Sequence, residues 1–239
     1  MADNKMTDFL VIGLGRFGKA ISTRLYALGA NVLAIDTRAD VVNEIEDKVS
    51  TAVCADVTTD GVLHSLGARN FDCAIICIGD NLEGSILATQ QCKELGINYI
   101  VAKAQNEQVG KILKSIGAHL VVYPEVYVAK KLASILTKPS VNEIMDLTDN
   151  YKLFEIKAPE LWQNKAISEL NIRKKYKLSI IFIKRANQIV DPEPETIILP
   201  NDIMLIAGDK SKINAVSYIA DDNFDIKNII NEMFDVNNE

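Results

Sequence analysis

The chain has 239 residues, 48% of them hydrophobic and 24% charged, with a formal net charge of −6. That length gives room for one large domain or two modest ones, each with its own core. The acidic balance argues against non-specific binding to nucleic acid or anionic lipid.

The opening "MADNKMTD" is polar and lacks the apolar centre of a signal peptide. The longest apolar runs, "FLVIGLG", "CAIICIG" and "LSIIFI", fall well short of the roughly 20 residues of a membrane helix. A soluble, cytoplasmic protein is expected. Apolar runs at 9–13, 31–35, 51–54, 73–78, 98–102 and 119–122 predict six short buried strands. Helix-period segments near 16–28, 38–47, 59–66, 82–95, 105–115 and 124–137 lie between and after them. Such alternation predicts a parallel sheet with helices on both faces. Gly29, Gly67, Gly96 and Gly117 fall where helices must stop before strands.

The character changes at "KPSVNEIMDLTDN", whose proline and turn formers predict a linker. Beyond it, "KLFEIKA", "LSIIFIKR", "QIV", "TIILP" and "IMLIAG" read as strands, with one helix near 166–176 and another after Gly208. The expected fold class is therefore α/β: a doubly wound parallel Rossmann sheet followed by a second, smaller α+β C-terminal domain. The expected boundaries are 1–138 for the first domain, 139–150 for the linker, 151–220 for the second domain and 221–239 for an acidic tail. Ile226, Ile229, Ile230 and Met233 give that tail helical apolar spacing.

The first strand runs into Gly13-x-Gly15-x-x-Gly18, and the second ends on Asp36. Gly13 suits a tight turn off the strand, Gly15 a close approach to phosphate, and Gly18 close packing of helix on strand. The helix start offers free N–H groups and positive potential to an anion. A strand before the motif, a helix after it and an acid at the end of the next strand predict a nucleotide site. Asp36 suits ribose hydroxyls and repels a 2′-phosphate, or else caps the next helix. Asp56, past the third strand, suits an adenine amino group or a helix cap, a task Thr58 and Thr59 can share. Arg16 costs the helix start some stability unless it pairs with phosphate. Leu14, Phe17, Thr37, Val57, Ile78 and Gly79 complete the candidate nucleotide-binding residues.

Cys54, Cys73, Cys77 and Cys92 contain no Cys-x-x-Cys pair and read as buried small hydrophobes. His64 and His119 are the only histidines, and neither sits where a catalyst beside a nicotinamide is expected. A non-enzymatic reading follows. An NAD(H)-binding redox sensor or an NAD-dependent oxidoreductase is the alternative.

The segments "VIGLGRFGKAISTRLYALGANVLAID", "ADVTTDGVLHSLGARNFDCAIICIGDN", "YIVAKAQNEQVGKILKSIGAHLVVYPE" and "LPNDIMLIAGDKSKI" together resemble the RCK (regulator of potassium conductance) proteins. The match is to the cytosolic, nucleotide-binding subunit of Ktr/Trk-type bacterial potassium uptake systems. The resemblance implies homodimers in an octameric ring beneath a membrane potassium-translocating subunit, gated by ATP and ADP. It implies that Arg16 reaches the terminal phosphates, Asp36 holds ribose and Asp56 holds adenine. Lys103, where the family often has arginine, would retain a phosphate role with weaker geometry. Glu125 matches a family acid that helps hold a cation, divalent or monovalent, beside the phosphates. The plain alternative for Glu125 is a first-turn acid favoured by the helix dipole. The second domain resembles one that binds cyclic di-AMP in many relatives. Ile167, Leu170 and Ile172 would flank the bases, Asn171 and Arg173 would pair with phosphates, and Tyr176 and Pro192 would complete the surface. The plain alternative there is a solvated helix end rich in cations.

Overall fold

The continuous apolar runs become strands covered on both faces, the condition under which a strand needs no alternation. The computed structural model describes residues 6–137, 141–186, 188–209 and 211–212. The chain divides into two compact units, Met1–Tyr127 and Val128–Glu239.

In the first unit the order is β1 (Asp8–Ile12), α1 (Arg16–Ala27), β2 (Asn31–Asp36), α2 (Ala39–Asn43), β3 (Thr51–Cys54), α3 (Val62–Ser65), β4 (Cys73–Ile76), α4 (Leu82–Glu94), β5 (Tyr99–Lys103), α5 (Glu107–Ile116) and β6 (Leu120–Val122). These strands pair in parallel in the order β3-β2-β1-β4-β5-β6, the doubly wound Rossmann arrangement. Alternate side chains feed two cores. Leu10 and Ile12 join Ile76, Ile100 and Leu113 on one face, while Val11 joins Val32, Ala34 and Cys73 on the other. Strand order reverses between β1 and β4, so their following loops part and leave a crevice at the strands' C-terminal ends.

Gly29, Gly67, Gly96 and Gly117 all have positive φ at helix ends, as predicted. The helices at 38–47 and 59–66 are shorter than the periodicity suggests. The first gives α2 and a separate 3-10 turn at Glu46–Lys48. The second cannot start before Val62, because Gly61 is left-handed at φ 81°. Cys73, Cys77 and Cys92 are buried, and burial pushes the thiols of Cys77 and Cys92 up to about 12. Cys54 is exposed, contrary to expectation, because it ends an edge strand.

α6 (Pro124–Thr137) leads out of the first unit, and the division falls at Tyr127, within the helix, rather than at 138. Val126, Tyr127, Val128 and Leu136 on this helix are exposed. The predicted linker instead contains β7 (Val141–Asp146), paired antiparallel with β8 (Tyr151–Lys157). Its turn formers close a hairpin: Leu147 and Thr148 N–H donate to the Tyr151 carbonyl, and Tyr151 N–H donates to Thr148 Oγ1 at 3.0 Å. The chain continues through α7 (Ile167–Leu170), α8 (Ile172–Tyr176), β9 (Leu178–Arg185), β10 (Gln188–Val190) and β11 (Ile203–Asp209). The strands form an antiparallel sheet in the order β10-β9-β11-β8-β7. Phe154, Ile156, Trp162, Leu178, Ile183, Met204 and Ile206 fill its core.

The single helix expected at 166–176 is broken at Asn171, which takes a left-handed conformation (φ 48°) that asparagine tolerates. "TIILP" forms only a bridge from Ile197 to Ala166 and buries Ile198, consistent with its flanking prolines. The expected acidic tail, and all but residues 211–212 of the helix expected after Gly208, lie outside the described residues. Among the described residues no helix is long and apolar enough to cross a membrane.

Candidate nucleotide-binding site

The glycine loop joins β1 to α1 at the crevice. Gly13 has φ 92°, and a Cβ there would lie 2.9 Å from the Cys77 carbonyl carbon and the Ile78 nitrogen. Gly18 is tighter, since its Cβ would lie 1.9 Å from the Gly13 carbonyl oxygen. Gly15 differs from both: a Cβ there meets nothing within 4 Å. Two glycines are therefore required by packing, and the third faces open space where a phosphate could approach.

The start of α1 is poised for an anion. Gly15 supplies no side-chain cap, and the first turn holds no acid. By contrast, Asn81 accepts from Gly84 N–H at 2.9 Å and Asn106 from Val109 N–H at 3.0 Å, with Glu83 and Glu107 in those first turns. α4 and α5 thus neutralise their own N-termini, whereas α1 leaves its N–H groups and positive potential available.

Asp36 Oδ2 accepts from Leu14 N–H at 2.6 Å, so the acid at the end of β2 braces the loop. Its Oδ1 accepts from Arg38 N–H at 3.0 Å and faces Arg38 Nε at 3.4 Å. A ribose hydroxyl would share or displace these donors. Asp56 folds back on itself: Oδ1 accepts from both the N–H and the hydroxyl of Thr58, which hold the carboxyl below its usual range. This is a local turn and not the helix cap offered as the alternative, since α3 starts only at Val62 with Gly61 before it. Thr37 is exposed at the end of β2, and Phe17 packs into the core beneath α1. Val57 is buried in the opposite core. Ile78 lies against Gly13, and the Gly79 carbonyl accepts from Gln105 Nε2 at 2.7 Å.

Arg16 is exposed at the head of α1. Lys103, at the end of β5, donates to Glu125 Oε1 at 2.6 Å. That ammonium, with the backbone N–H of Glu125 and more distantly the charges of Lys103 and Arg16, holds the Glu125 carboxyl below its ordinary range. The field of Lys103 also reaches the Cys77 thiol. Among the described residues no three His, Cys, Asp or Glu side chains gather to hold a metal ion. The Glu125 carboxylate faces the Lys103 ammonium, with its side chain largely exposed.

Gln105 and Arg38 were missed from the sequence. Gln105 stands in "VAKAQ" beside Lys103, but its partners Gly79 and Asp80 lie in the loop after β4. His64 is exposed on α3, and His119 stacks on Tyr99 while its Nδ1 accepts from Ile100 N–H at 3.0 Å.

The second unit carries a cavity of about 580 Å³ lined by Ile167, Asn171, Ile172, Arg173 and Pro192 from the predicted set. Lys174 and Lys177, from the same cation-rich stretch, line it as well, and so does Ser179, which was not anticipated. Leu170 and Tyr176 are not in the lining. Both pack against the core, and the Tyr176 ring lies 5.7 Å from that of Trp162.

The TrkA-N domain model matches residues 9–124 and the TrkA-C domain model residues 153–219. The Ktr system potassium uptake protein C of Bacillus subtilis is 40% identical over 208 residues, covering 87% of this chain and 94% of that one. The chain belongs to the TrkA-type, or RCK, family of Ktr/Trk potassium-uptake proteins. A second such RCK relative, the Ktr system potassium uptake protein A of the same organism, is 40% identical over 210 residues, covering 87% of this chain and 95% of that one. Among solved structures, the GsuK RCK domain shares the fold with a TM-score of 0.62 at 20% identity, over 92% of this chain and 48% of that one.

Proposed function

We propose that this RCK chain is the nucleotide-gated regulatory subunit of a potassium transporter, and that the nucleotide is read rather than consumed. The observation that carries this is the contrast among helix starts: α4 and α5 are capped by asparagine and acid, while α1 presents uncapped N–H groups, open space at Gly15 and the cation Arg16. ATP and ADP are the ligands that suit a switch there, since they differ by one phosphate and only unequal affinity can shift a conformation. Arg16 and Lys103 are the side chains placed to sense that phosphate, with Asp36 on the ribose. Adenine falls near Asp56, whose Oδ1 is taken up by Thr58.

The relatives named as potassium uptake proteins support a membrane potassium-translocating subunit as the partner and the cytoplasmic face of the membrane as the place. Homodimers assembled in an octameric ring fit the exposed apolar side chains of α6, which such an assembly would cover. Arg16→Ala is expected to weaken ATP about tenfold while leaving ADP within about threefold, because one charge-assisted contact to the terminal phosphate is lost. Equal losses for both nucleotides, measured by calorimetry, would remove Arg16 from the switch.

The second unit's cavity is the place for cyclic di-AMP. Ile167, Ile172 and Pro192 give apolar walls, and Arg173, Lys174 and Lys177 bring cations to the same opening. Equilibrium dialysis with cyclic di-AMP should show binding to the wild-type chain and a loss of about tenfold or more in Arg173→Ala. Unchanged affinity in the variant would move the ligand elsewhere.

A further inference from the structure

The two partners of the Lys103–Glu125 pair are covered very differently: the Lys103 side chain is only 15% exposed, while that of Glu125 is 69% exposed. A largely desolvated ammonium requires an anion, whereas a carboxylate in water does not. The pair is therefore asymmetric. The ammonium is fixed at the end of β5, and the carboxylate, on the first turn of α6, leans in from solvent. An exposed carboxylate gives up such a contact cheaply, since water replaces what it loses.

Lys103 also lies close to the phosphate loop. Its charge acts on the Cys77 thiol, and Cys77 is the residue against which Gly13 and Gly18 are packed. β5 follows β4 in the sheet, so the C-terminal end of β5 opens onto the same crevice as the head of α1. A terminal phosphate carried by the glycine loop would bring to Lys103 an anion of higher charge than one carboxylate.

We infer that Lys103 exchanges anions: Glu125 is its resident counter-ion in the nucleotide-free chain, and the terminal phosphate of a bound nucleoside di- or triphosphate displaces it. Glu125 is then a built-in competitor of the ligand. Its release also frees the first turn of α6, the helix that leads out of the nucleotide unit. The inference rests on the nucleotide reading above but makes a separate demand, that removing an acid from the site should strengthen binding.

The test is a calorimetric titration with ADP, in buffer stripped of divalent cations, of the wild-type full chain and of Glu125→Gln, Lys103→Gln and the double variant. Glu125→Gln is expected to bind about three- to tenfold more tightly, and Lys103→Gln more weakly than wild type. The double variant should bind no better than Lys103→Gln. Lys103→Arg, which keeps the charge, should keep the gain from Glu125→Gln, and this covers the case in which the glutamine variant folds poorly. Weaker or unchanged ADP binding by Glu125→Gln overturns the exchange. A gain that persists in the Lys103→Gln background also overturns it, since the acid then repels phosphate through Arg16 or the field at large. If the wild-type chain binds NADH and neither ADP nor ATP, the adenine-phosphate switch is lost. The same comparison with inorganic pyrophosphate then decides the exchange, and the absence of a Lys103-dependent gain overturns it.

Discussion

Gly18→Ala is expected to destabilise the nucleotide unit by about 3 kcal/mol or more, lowering its melting temperature by roughly 10 °C. Helix propensity alone predicts the opposite sign, since alanine in a helix interior is favoured over glycine by about 1 kcal/mol. The clash decides the outcome. The added methyl would sit 1.9 Å from the Gly13 carbonyl oxygen, a backbone atom that cannot rotate away. Gly15→Ala separates packing from binding. Gly15 has φ −64° and ψ −175°, which any residue adopts, and its Cβ meets nothing. That variant should melt within about 2 °C of wild type yet lose about tenfold or more in nucleotide affinity, because the methyl occupies the phosphate's approach. A stable Gly18→Ala, or a Gly15→Ala that binds normally, would contradict the division of labour assigned to this loop.

The second large effect is expected at Asp202. This carboxylate is 1% exposed and accepts from Arg185 Nε, Arg185 Nη2 and Leu199 N–H, each at 2.8 Å. Arg185 Nη2 also donates to the Ile197 carbonyl at 2.8 Å, so one ion pair pins the irregular 197–202 segment to β9. Asp202→Ala strands a guanidinium and an N–H together. Breaking a buried pair costs about 3–5 kcal/mol, and the low end applies because Arg185 keeps some access to water. The single tryptophan, Trp162, lies in the core of the second unit and gives a local probe. Its fluorescence-monitored midpoint should fall by roughly 10 °C in Asp202→Ala, with Asp202→Asn intermediate. An unchanged midpoint would reduce the pair to surface decoration.

The sheet was legible because both faces are covered, which turns each strand into a short apolar run. "CAII" is buried at all four positions, and its shortness, between an Asp and a Gly-containing loop, favours a strand over a helix. β7 was illegible for the opposite reason. It is an edge strand, and the polar residues that close its hairpin onto β8 are the same ones that mark a linker. The break at Asn171 and the late start of α3 at Gly61 come from single residues with positive φ, which hydrophobic periodicity does not register.

The site divides in the same way. Gly13, Gly15, Gly18 and Asp36 belong to one strand–helix–strand unit, so their spacing along the chain already encodes their geometry. Lys103 and Glu125 lie 22 residues apart, and Gln105 and Gly79 lie 26 apart. Those pairs meet only because β5 lies between β4 and β6, a relation the fold supplies and local spacing does not. The cavity of the second unit was half legible. The family resemblance grouped Ile167 and Ile172 with Leu170 and Tyr176, but Asn171 is left-handed between the two short helices, and the last two side chains pack against the core.

The measurement that tests the central claim most directly is a side-by-side calorimetric titration of the nucleotide-free wild-type chain with ATP, ADP and NADH. A chain that reads its nucleotide binds ATP and ADP with unequal affinity and leaves both intact over the course of the titration, with NADH weak or silent. Binding of NADH alone would contradict the account, remove Arg16 and Lys103 from their assigned roles, and turn the search toward a redox partner.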